Sequence, residues 1–190
     1  VRRGERTRAA IVAALLGLVA DGELHPTARQ IAQRAGVSVR SIFQHFDDLE
    51  GLYGDLVRVQ AARVQPLVED LRSEGSLDER IDALVRQRAA LFEAITPMRH
   101  AIGTRARRSP TLTRRVRELS EVLHRQVCTQ FEPELAGQED DHLALTLDTL
   151  SSFEAWDRLR DHHGLGVDEA AAALRSALRS VLAPDRGRVG

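Results

Sequence analysis

The chain has 190 residues, of which 43% are hydrophobic and 29% charged, a composition typical of a globular protein with a buried core. Its formal net charge of −1 excludes a protein that binds nucleic acid through overall positive charge. The single cysteine, Cys128, excludes an internal disulfide framework and fits a cytoplasmic location.

Helical periodicity runs along the whole sequence, and no segment shows the sustained apolar/polar alternation of a strand. The pattern predicts an all-α fold of about nine helices joined by short connectors, with a break at Pro97 and a loop at Pro133–Gly137. In chain order the predicted helices cover about Arg6–Ala20, Ala28–Ala35, Val39–Phe46, Leu49–Leu71, Leu77–Ile95, Met98–Arg107, Pro110–Phe131, Asp140–Arg160 and Val167–Leu182.

The first predicted helix resembles a signal sequence, because arginines precede the apolar run Ala9–Ala20. That run has no convincing cleavage site, is followed at once by Asp21 and is too short to span a bilayer. We therefore interpret it as a helix that faces the core through Ile11, Leu15 and Leu18. No other stretch is long and apolar enough to cross a membrane.

Charge is unevenly distributed along the chain. Up to Phe46 there are seven arginines and three acidic residues, so this part carries a local excess of four positive charges. The remainder of the chain offsets that excess. This asymmetry favours a small DNA-facing head on a neutral or acidic body.

Residues 27–46 contain the parts of a helix-turn-helix. Thr27 and Gln30 have capping-box spacing, Gly36 permits a tight turn, and Ser38 can cap the helix that follows. Small and apolar side chains allow the two helices to cross closely and fix their angle. These side chains are Ile31, Ala32, Ala35, Val37 and Ile42.

The second helix of this motif presents Val39, Arg40, Ser41 and Gln44 outward. In helix-turn-helix proteins such a helix lies in the major groove with its N-terminal residues at the base edges. Arg40 could pair with a guanine, although a solvated or phosphate-only role for it is equally compatible with the sequence. A structural helical hairpin in another kind of protein is the alternative for the whole motif.

The first 55 residues or so resemble the TetR family of bacterial transcriptional regulators. The residues that carry the resemblance are Thr27, Ile31, Ala32, Ala35, Gly36, Val37, Ser38, Ile42, Phe43, Gln44, His45, Phe46, Glu50 and Leu52, with Ile11, Ala14 and Gly22 before them. The resemblance implies a three-helix DNA-binding domain at 1–48 and a helical ligand-binding and dimerisation domain at 49–190. It also implies a homodimeric repressor that binds a palindromic operator and is released by a small-molecule effector.

The resemblance assigns roles within the motif. Arg29, Val39, Arg40 and Ser41 match positions that commonly reach bases, and Thr27, Phe43, Gln44 and His45 match positions that usually touch the DNA backbone. Ser38, at a helix N-terminus, is suited to a phosphate. The complete predicted DNA-binding set is Thr27, Arg29, Ser38, Val39, Arg40, Ser41, Phe43, Gln44 and His45.

Two positions depart from the family pattern. Phe43 stands where a tyrosine often donates its hydroxyl to a phosphate, and Leu49 stands where many members have a phosphate-binding lysine. Asp47 and Asp48 beside it would repel DNA slightly. We therefore expect operator binding to depend more on Arg29, on Arg40 and on the arginines near the N-terminus.

The last two predicted helices carry apolar stripes, which by resemblance form a four-helix dimer interface; ordinary monomer core is the alternative. The predicted interface residues are Leu150, Phe153, Leu174, Leu178 and Val181. The resemblance also implies that a small effector binds among the central helices, and the apolar character of these helices predicts a hydrophobic one. The candidate lining residues are Phe92, Met98, His100, His124, Cys128, Phe131 and Trp156.

Other kinds of function remain as alternatives. Within DNA binding, an activator or a regulator without a ligand would carry the same motif. A helical enzyme or small-molecule carrier with a vestigial helix-turn-helix is the alternative from another class. Because no catalytic motif is present and His162 and His163 are better explained as a solvated helix end than as metal ligands, we predict no enzyme activity, no metal and no cofactor.

Overall fold

The structure, a computed structural model, describes residues 3–68, 71, 74–136 and 141–183, except the side chains of Arg3 and of residues 104–108. Within these ranges the chain forms ten α-helices, one π-helical segment and no strand, so the all-α prediction is confirmed. The helices are α1 (Arg3–Ala20), α2 (Ala28–Ala35), α3 (Val39–His45), α4 (Leu49–Val68), α5 (Leu77–Arg108), α6 (Pro110–Gln130), α7 (Glu132–Leu135), α8 (His142–Leu150), α9 (Phe153–Asp157) and α10 (Val167–Leu182). The π-helical segment Arg158–His162 continues α9.

The helices form two compact units. The first unit contains the chain up to Gln65 together with Ala94–Arg117, and the second contains Pro66–Glu93 and the chain from Glu118 onward. The predicted boundary at residues 48 and 49 separates a DNA-binding domain from a ligand-binding and dimerisation domain. It concerns function and stays a prediction. No helix of the described residues is both long and apolar enough to cross a membrane.

The helix-turn-helix core lies in the first unit. There α1 packs against both α2 and α3, and α2 packs against α3. The apolar side chains at these contacts are almost completely buried. They include Ile11, Leu15, Ile31, Ile42 and Phe46. Burying such a side chain stabilises the folded protein by about 1.5–3 kcal/mol, so these contacts fix the position of α3 against α1 and α2.

The predicted break at Pro97 is wrong, because α5 continues through it to Arg108. A proline inside a helix costs about 3 kcal/mol. The residues that follow it, Met98, Ala101 and Ile102, are all buried, and their burial offsets that cost. The helix is instead distorted at Gly103, whose φ of 24° and ψ of −116° are not helical.

The predicted loop at Pro133–Gly137 and the single helix over Asp140–Arg160 are also wrong in part. The short helix α7 occupies the start of that loop, while Gly137 and Asp140 lie outside the described residues. The long helix is interrupted between α8 and α9, where the Ser152 hydroxyl caps α9 by accepting from the Ala155 N–H at 3.2 Å. Serine offers the backbone this local alternative to a continuous helix.

Candidate nucleic-acid interface

The first helix of the motif begins at a capping box. The Thr27 N–H donates to Gln30 Oε1 at 2.8 Å, and Thr27 Oγ1 accepts from the Gln30 N–H at 3.3 Å. The Thr27 hydroxyl also donates to Gln30 Oε1 at 2.7 Å, so its proton is already used within the protein. The capping-box spacing in the sequence therefore corresponds to the contacts that start α2.

The turn between the two helices depends on Gly36, whose φ of 67° and ψ of 31° are left-handed. Its N–H donates to the Gln33 carbonyl at 3.3 Å, and the Val37 N–H donates to the Ala32 carbonyl at 3.0 Å, which closes the end of α2. Ser38 then starts α3, since its Oγ accepts from the Ser41 N–H at 3.1 Å. Only three residues separate α2 from α3, so the crossing of the helices is tightly defined.

The outward face of α3 is exposed and contains large side chains. Val39 is 38% exposed and Phe43 is 50% exposed. Arg40 and Gln44 are also exposed, whereas Ser41 and His45 are half-buried. The predicted DNA-binding residues outside α3, which are Thr27, Arg29 and Ser38, are exposed as well. The nine residues therefore belong to one helix pair, although their contact with DNA stays a prediction.

The arginines of this region divide into two groups. Arg29 and Arg40 form no ion pair with a described residue. Arg8, by contrast, donates from Nε to Asp55 at 2.8 Å, lies 4.1 Å from the centre of the Phe46 ring and also donates to the His45 carbonyl. Its side chain joins α1 to the end of α3 and to α4, a structural role that the sequence analysis missed.

Arg34 also has a structural partner, because its guanidinium lies 2.5 Å from an Asp21 carboxylate oxygen. Both groups are substantially exposed, so the pair contributes about 0–1 kcal/mol. The positive charge of Arg34 is thus partly compensated within the protein, unlike that of Arg29 or Arg40.

The start of α4 follows the motif directly. Asp48 caps it by accepting from the Gly51 N–H at 2.8 Å, which explains an acidic residue close to a predicted DNA surface. In the first turn of the helix, Glu50 accepts a hydrogen bond of 2.6 Å from the Ser109 hydroxyl, which also caps α6. These two residues are 59 positions apart, and no local pattern predicts their contact.

The residues predicted to line an effector pocket are distributed over both units, and their contact with a ligand stays a prediction. Met98 and His100 belong to the first unit, where Met98 lines a cavity of about 360 Å³. In the second unit Phe92, Phe131 and Trp156 are buried, and the rings of Phe92 and Trp156 are 6.4 Å apart.

Cys128 also belongs to the second unit, and its Sγ lies 3.6 Å from His124 Nε2. Burial raises the pKa of the Cys128 thiol, helped by the charges of Asp148 and Asp141, so the thiol stays protonated near neutral pH.

The residues predicted for the dimer interface have different degrees of exposure. Leu174 and Leu178 are 3% and 0% exposed and belong to the core of the protomer itself. Leu150, Phe153 and Val181 are half-buried. A further apolar residue that the predicted set omitted, Leu145 on α8, is 54% exposed.

A polar network that the sequence analysis missed lies in the second unit. Arg80 donates to both carboxylate oxygens of Glu134, and Arg160 pairs with Glu93 at 2.9 Å.

Arg88, in the same unit, is completely buried. It donates to the Leu123 carbonyl at 3.0 Å and to the Gln126 side chain at 2.9 Å. Burial lowers the pKa of Arg88 to about 10, against the opposing effect of the Asp148 charge.

Solved structures share this fold over nearly the whole chain. A TetR-family transcriptional regulator from Streptomyces coelicolor matches with a TM-score of 0.71 at 17% identity, over 97% of this chain and 92% of its own. A transcriptional regulator from Rhodococcus sp. Rha1 matches with a TM-score of 0.69 at 20% identity, over 95% and 96%. Salmonella enterica GusR matches with a TM-score of 0.64 at 19% identity, over 96% and 98%.

No protein-family model matches the chain, and no curated protein sequence does. The structural likeness nevertheless covers both units, so it extends well beyond the first 55 residues that carry the sequence resemblance. The chain therefore has the fold of TetR-family transcriptional regulators.

Proposed function

We propose that the chain is a TetR-like transcriptional regulator, a homodimeric repressor that binds a palindromic DNA operator and is released by a small hydrophobic effector. The observation that carries this proposal is the exposed face of α3, mounted on a buried helix-turn-helix core and bearing an arginine without a described ion-pair partner. The predicted division into a DNA-binding domain at 1–48 and a ligand-binding and dimerisation domain at 49–190 is part of the proposal, as is a cytoplasmic location.

The proposed DNA contacts follow from the hydrogen bonds that remain available. Arg40 stands in the first turn of α3, where a guanidinium can bind the O6 and N7 atoms of a guanine. The Ser38 hydroxyl accepts a bond from Ser41 but keeps its own proton for a phosphate. The Thr27 hydroxyl already donates to Gln30 Oε1, so the N-terminus of α2 would contact a phosphate mainly through backbone N–H groups.

Dimerisation would use α8 and α10, which pack against each other within the second unit. Leu145, Leu150, Phe153 and Val181 keep apolar surface that a second copy can cover. Two copies related by a twofold axis would place two α3 helices on two half-sites. Sedimentation or light scattering that shows monomer alone at micromolar concentration would contradict this part of the proposal.

The experiment that tests DNA binding first selects bound sequences from a pool of randomised DNA duplexes. Fluorescence anisotropy then measures the affinity of the protein for the selected sequence. We expect salt-sensitive and sequence-specific binding. The Arg40→Ala substitution should weaken the free energy of DNA binding by about 1–3 kcal/mol and relax the base preference at one base pair per half-site. Arg86→Ala is the matched control, because it removes an exposed arginine of the second unit.

Failure to select any sequence would contradict the regulator proposal. Equal affinity and equal specificity of the Arg40→Ala variant and the unaltered protein would remove Arg40 from the base contacts while leaving the regulator itself in place.

A further inference from the structure

A cavity of about 360 Å³ lies entirely within the first unit, between α1, α4 and the part of α5 that begins at Ala94. Its volume falls within the range of about 300–1,000 Å³ that is usual for small-molecule sites. Six of the seven residues predicted to contact an effector do not line it.

The space exists because the facing helices carry small side chains. Ala13, Gly17 and Ala20 recur on α1 at intervals of four and three residues, so they lie on one side of the helix. At Gly17 the place of a side chain is filled by the Arg34 guanidinium, so on α1 the two alanines leave the space open. Ala94 faces the same space from α5. Larger apolar side chains complete the walls; they are Leu16, Val19, Pro97 and Met98.

Two polar side chains, both on α4, give the cavity its chemical preference. Gln60 is 9% exposed, and its Nε2 donates to the Ala94 carbonyl at 2.9 Å, while its Oε1 accepts nothing from a described residue. Arg63 follows three residues later, is exposed, and forms no ion pair with a described residue. An apolar space of this size is thus bordered by one uncompensated guanidinium.

We propose that this cavity binds an amphipathic monocarboxylate, with the carboxylate on Arg63 and the apolar part between α1 and α5. A planar guanidinium matches a carboxylate through two parallel hydrogen bonds. One cation compensates one negative charge, which favours a monoanion over a phosphate with two charges. The small residues of α1 leave room for an unbranched or aromatic apolar group.

The position of the cavity connects it to the helix-turn-helix. Because α1 packs against both α2 and α3, a molecule held between α1 and α4 touches the helix on which the motif is mounted. Its occupancy would change the affinity for DNA, an effect that rests on the function proposed above.

Isothermal titration of the full chain with octanoate tests the site directly. Octanoate should bind saturably with one molecule per chain, and 1-octanol, which has the same tail without the charge, should bind at least about tenfold more weakly. Arg63→Gln should weaken octanoate binding by a similar factor. Arg86→Gln, which removes an exposed arginine of the second unit, should leave it unchanged.

A second variant tests the apolar part without touching charge. Ala13→Leu places a larger side chain in the cavity from an exposed position of α1, so it should reduce binding of octanoate and of 1-octanol alike while the melting temperature stays unchanged. Absence of saturable octanoate binding would overturn the proposal, as would equal affinities for the unaltered protein and the Arg63→Gln variant. Equal binding of octanoate and 1-octanol would overturn the carboxylate assignment.

The effect on DNA is measured separately, by anisotropy of the selected duplex with and without octanoate. A change that Arg63→Gln abolishes supports regulation through the cavity, and an unchanged DNA affinity with octanoate bound overturns that link. If the protein binds no DNA at all, the proposed function fails, whereas the titration still decides whether the cavity is a binding site.

Discussion

Two arginines of the helix-turn-helix and two of the second unit differ in how their charge is compensated. Arg29 and Arg40 are exposed and have no described ion-pair partner, whereas Arg80 is 5% exposed and Arg88 is fully buried. Desolvation of a guanidinium is costly, and hydrogen bonds from Arg80 and Arg88 to protein acceptors offset part of that cost. The same residue type therefore stabilises the second unit and remains available to an anionic partner in the first.

The two regions also differ in the range of their polar contacts. The caps of α2 and α3 join residues three positions apart, as in Ser38 and Ser41. In the second unit the contact of Arg80 with Glu134 spans 54 positions, and that of Arg160 with Glu93 spans 67. Because Arg80 is nearly buried whereas the caps of α2 and α3 are exposed, loss of its carboxylate partner should affect global stability most.

The largest effect is expected for Glu134→Gln. The substitution leaves the nearly buried Arg80 without its carboxylate partner, and the free energy of unfolding should fall by about 2 kcal/mol, below the range for fully buried pairs because Glu134 is 20% exposed. Urea unfolding at neutral pH measures the loss. Glu132→Gln, at an exposed position on the same short helix, is the control and should change little.

Acid should weaken the same contacts. The hydrogen bonds from Arg80 hold the pKa of Glu134 below its ordinary value, and those from Arg160, with Trp156, do the same for Glu93. A lowered folded-state pKa contributes stability that is present above the unfolded pKa near 4.5 and is lost as the pH falls through the folded value. Unfolding midpoints should therefore fall with pH below about 5, and less steeply in the Glu134→Gln variant. Identical profiles for the two proteins would contradict this assignment.

A smaller effect is expected in the helix-turn-helix for Gly36→Ala. The left-handed backbone of Gly36, with φ of 67°, costs an alanine about 1–2 kcal/mol. Nothing lies within 4 Å of the added Cβ, so the whole cost is conformational. Gly36→Asn should lose less stability, since asparagine tolerates this conformation. A melting temperature of the alanine variant equal to or above that of the asparagine variant would argue against this explanation.

The smallest effect is expected for Phe43→Tyr. Phe43 is 50% exposed on α3, so an added hydroxyl meets solvent and leaves protein stability unchanged. In the proposed complex it would donate to a phosphate and raise DNA affinity by about 0.5–1 kcal/mol. The anisotropy assay compares the two proteins on one duplex. A gain would place this face of α3 beside the DNA backbone, and no change would place Phe43 away from it.

The helix-turn-helix could be predicted from the sequence because its determinants are local. Thr27, Gly36 and Ser38 each act on backbone groups within a few residues, so spacing alone identifies the caps and the turn. The exposed position of Arg40 followed from helical periodicity in the same way. Its contact with a base, like the other predicted site residues, stays a prediction.

Elsewhere local signals were insufficient. Pro97 predicts a helix break, but the burial of Met98 and Ile102 outweighs the missing hydrogen bond. Apolar periodicity placed Leu174 and Leu178 equally well in a dimer interface or in the protomer core, and the structure buries both within one chain. A periodic stripe shows that a face is covered but does not identify what covers it.

The sequence by itself determined the helical class, the turn at Gly36 and the side of α3 that faces outward, because each depends on backbone preferences and spacing within a few residues. The tertiary structure decided which arginines are paired, that Glu50 meets Ser109, and that small residues on α1 and α5 leave a cavity beside Arg63. These features join residues far apart in the chain, and burial and charge at such contacts arise only when the helices pack.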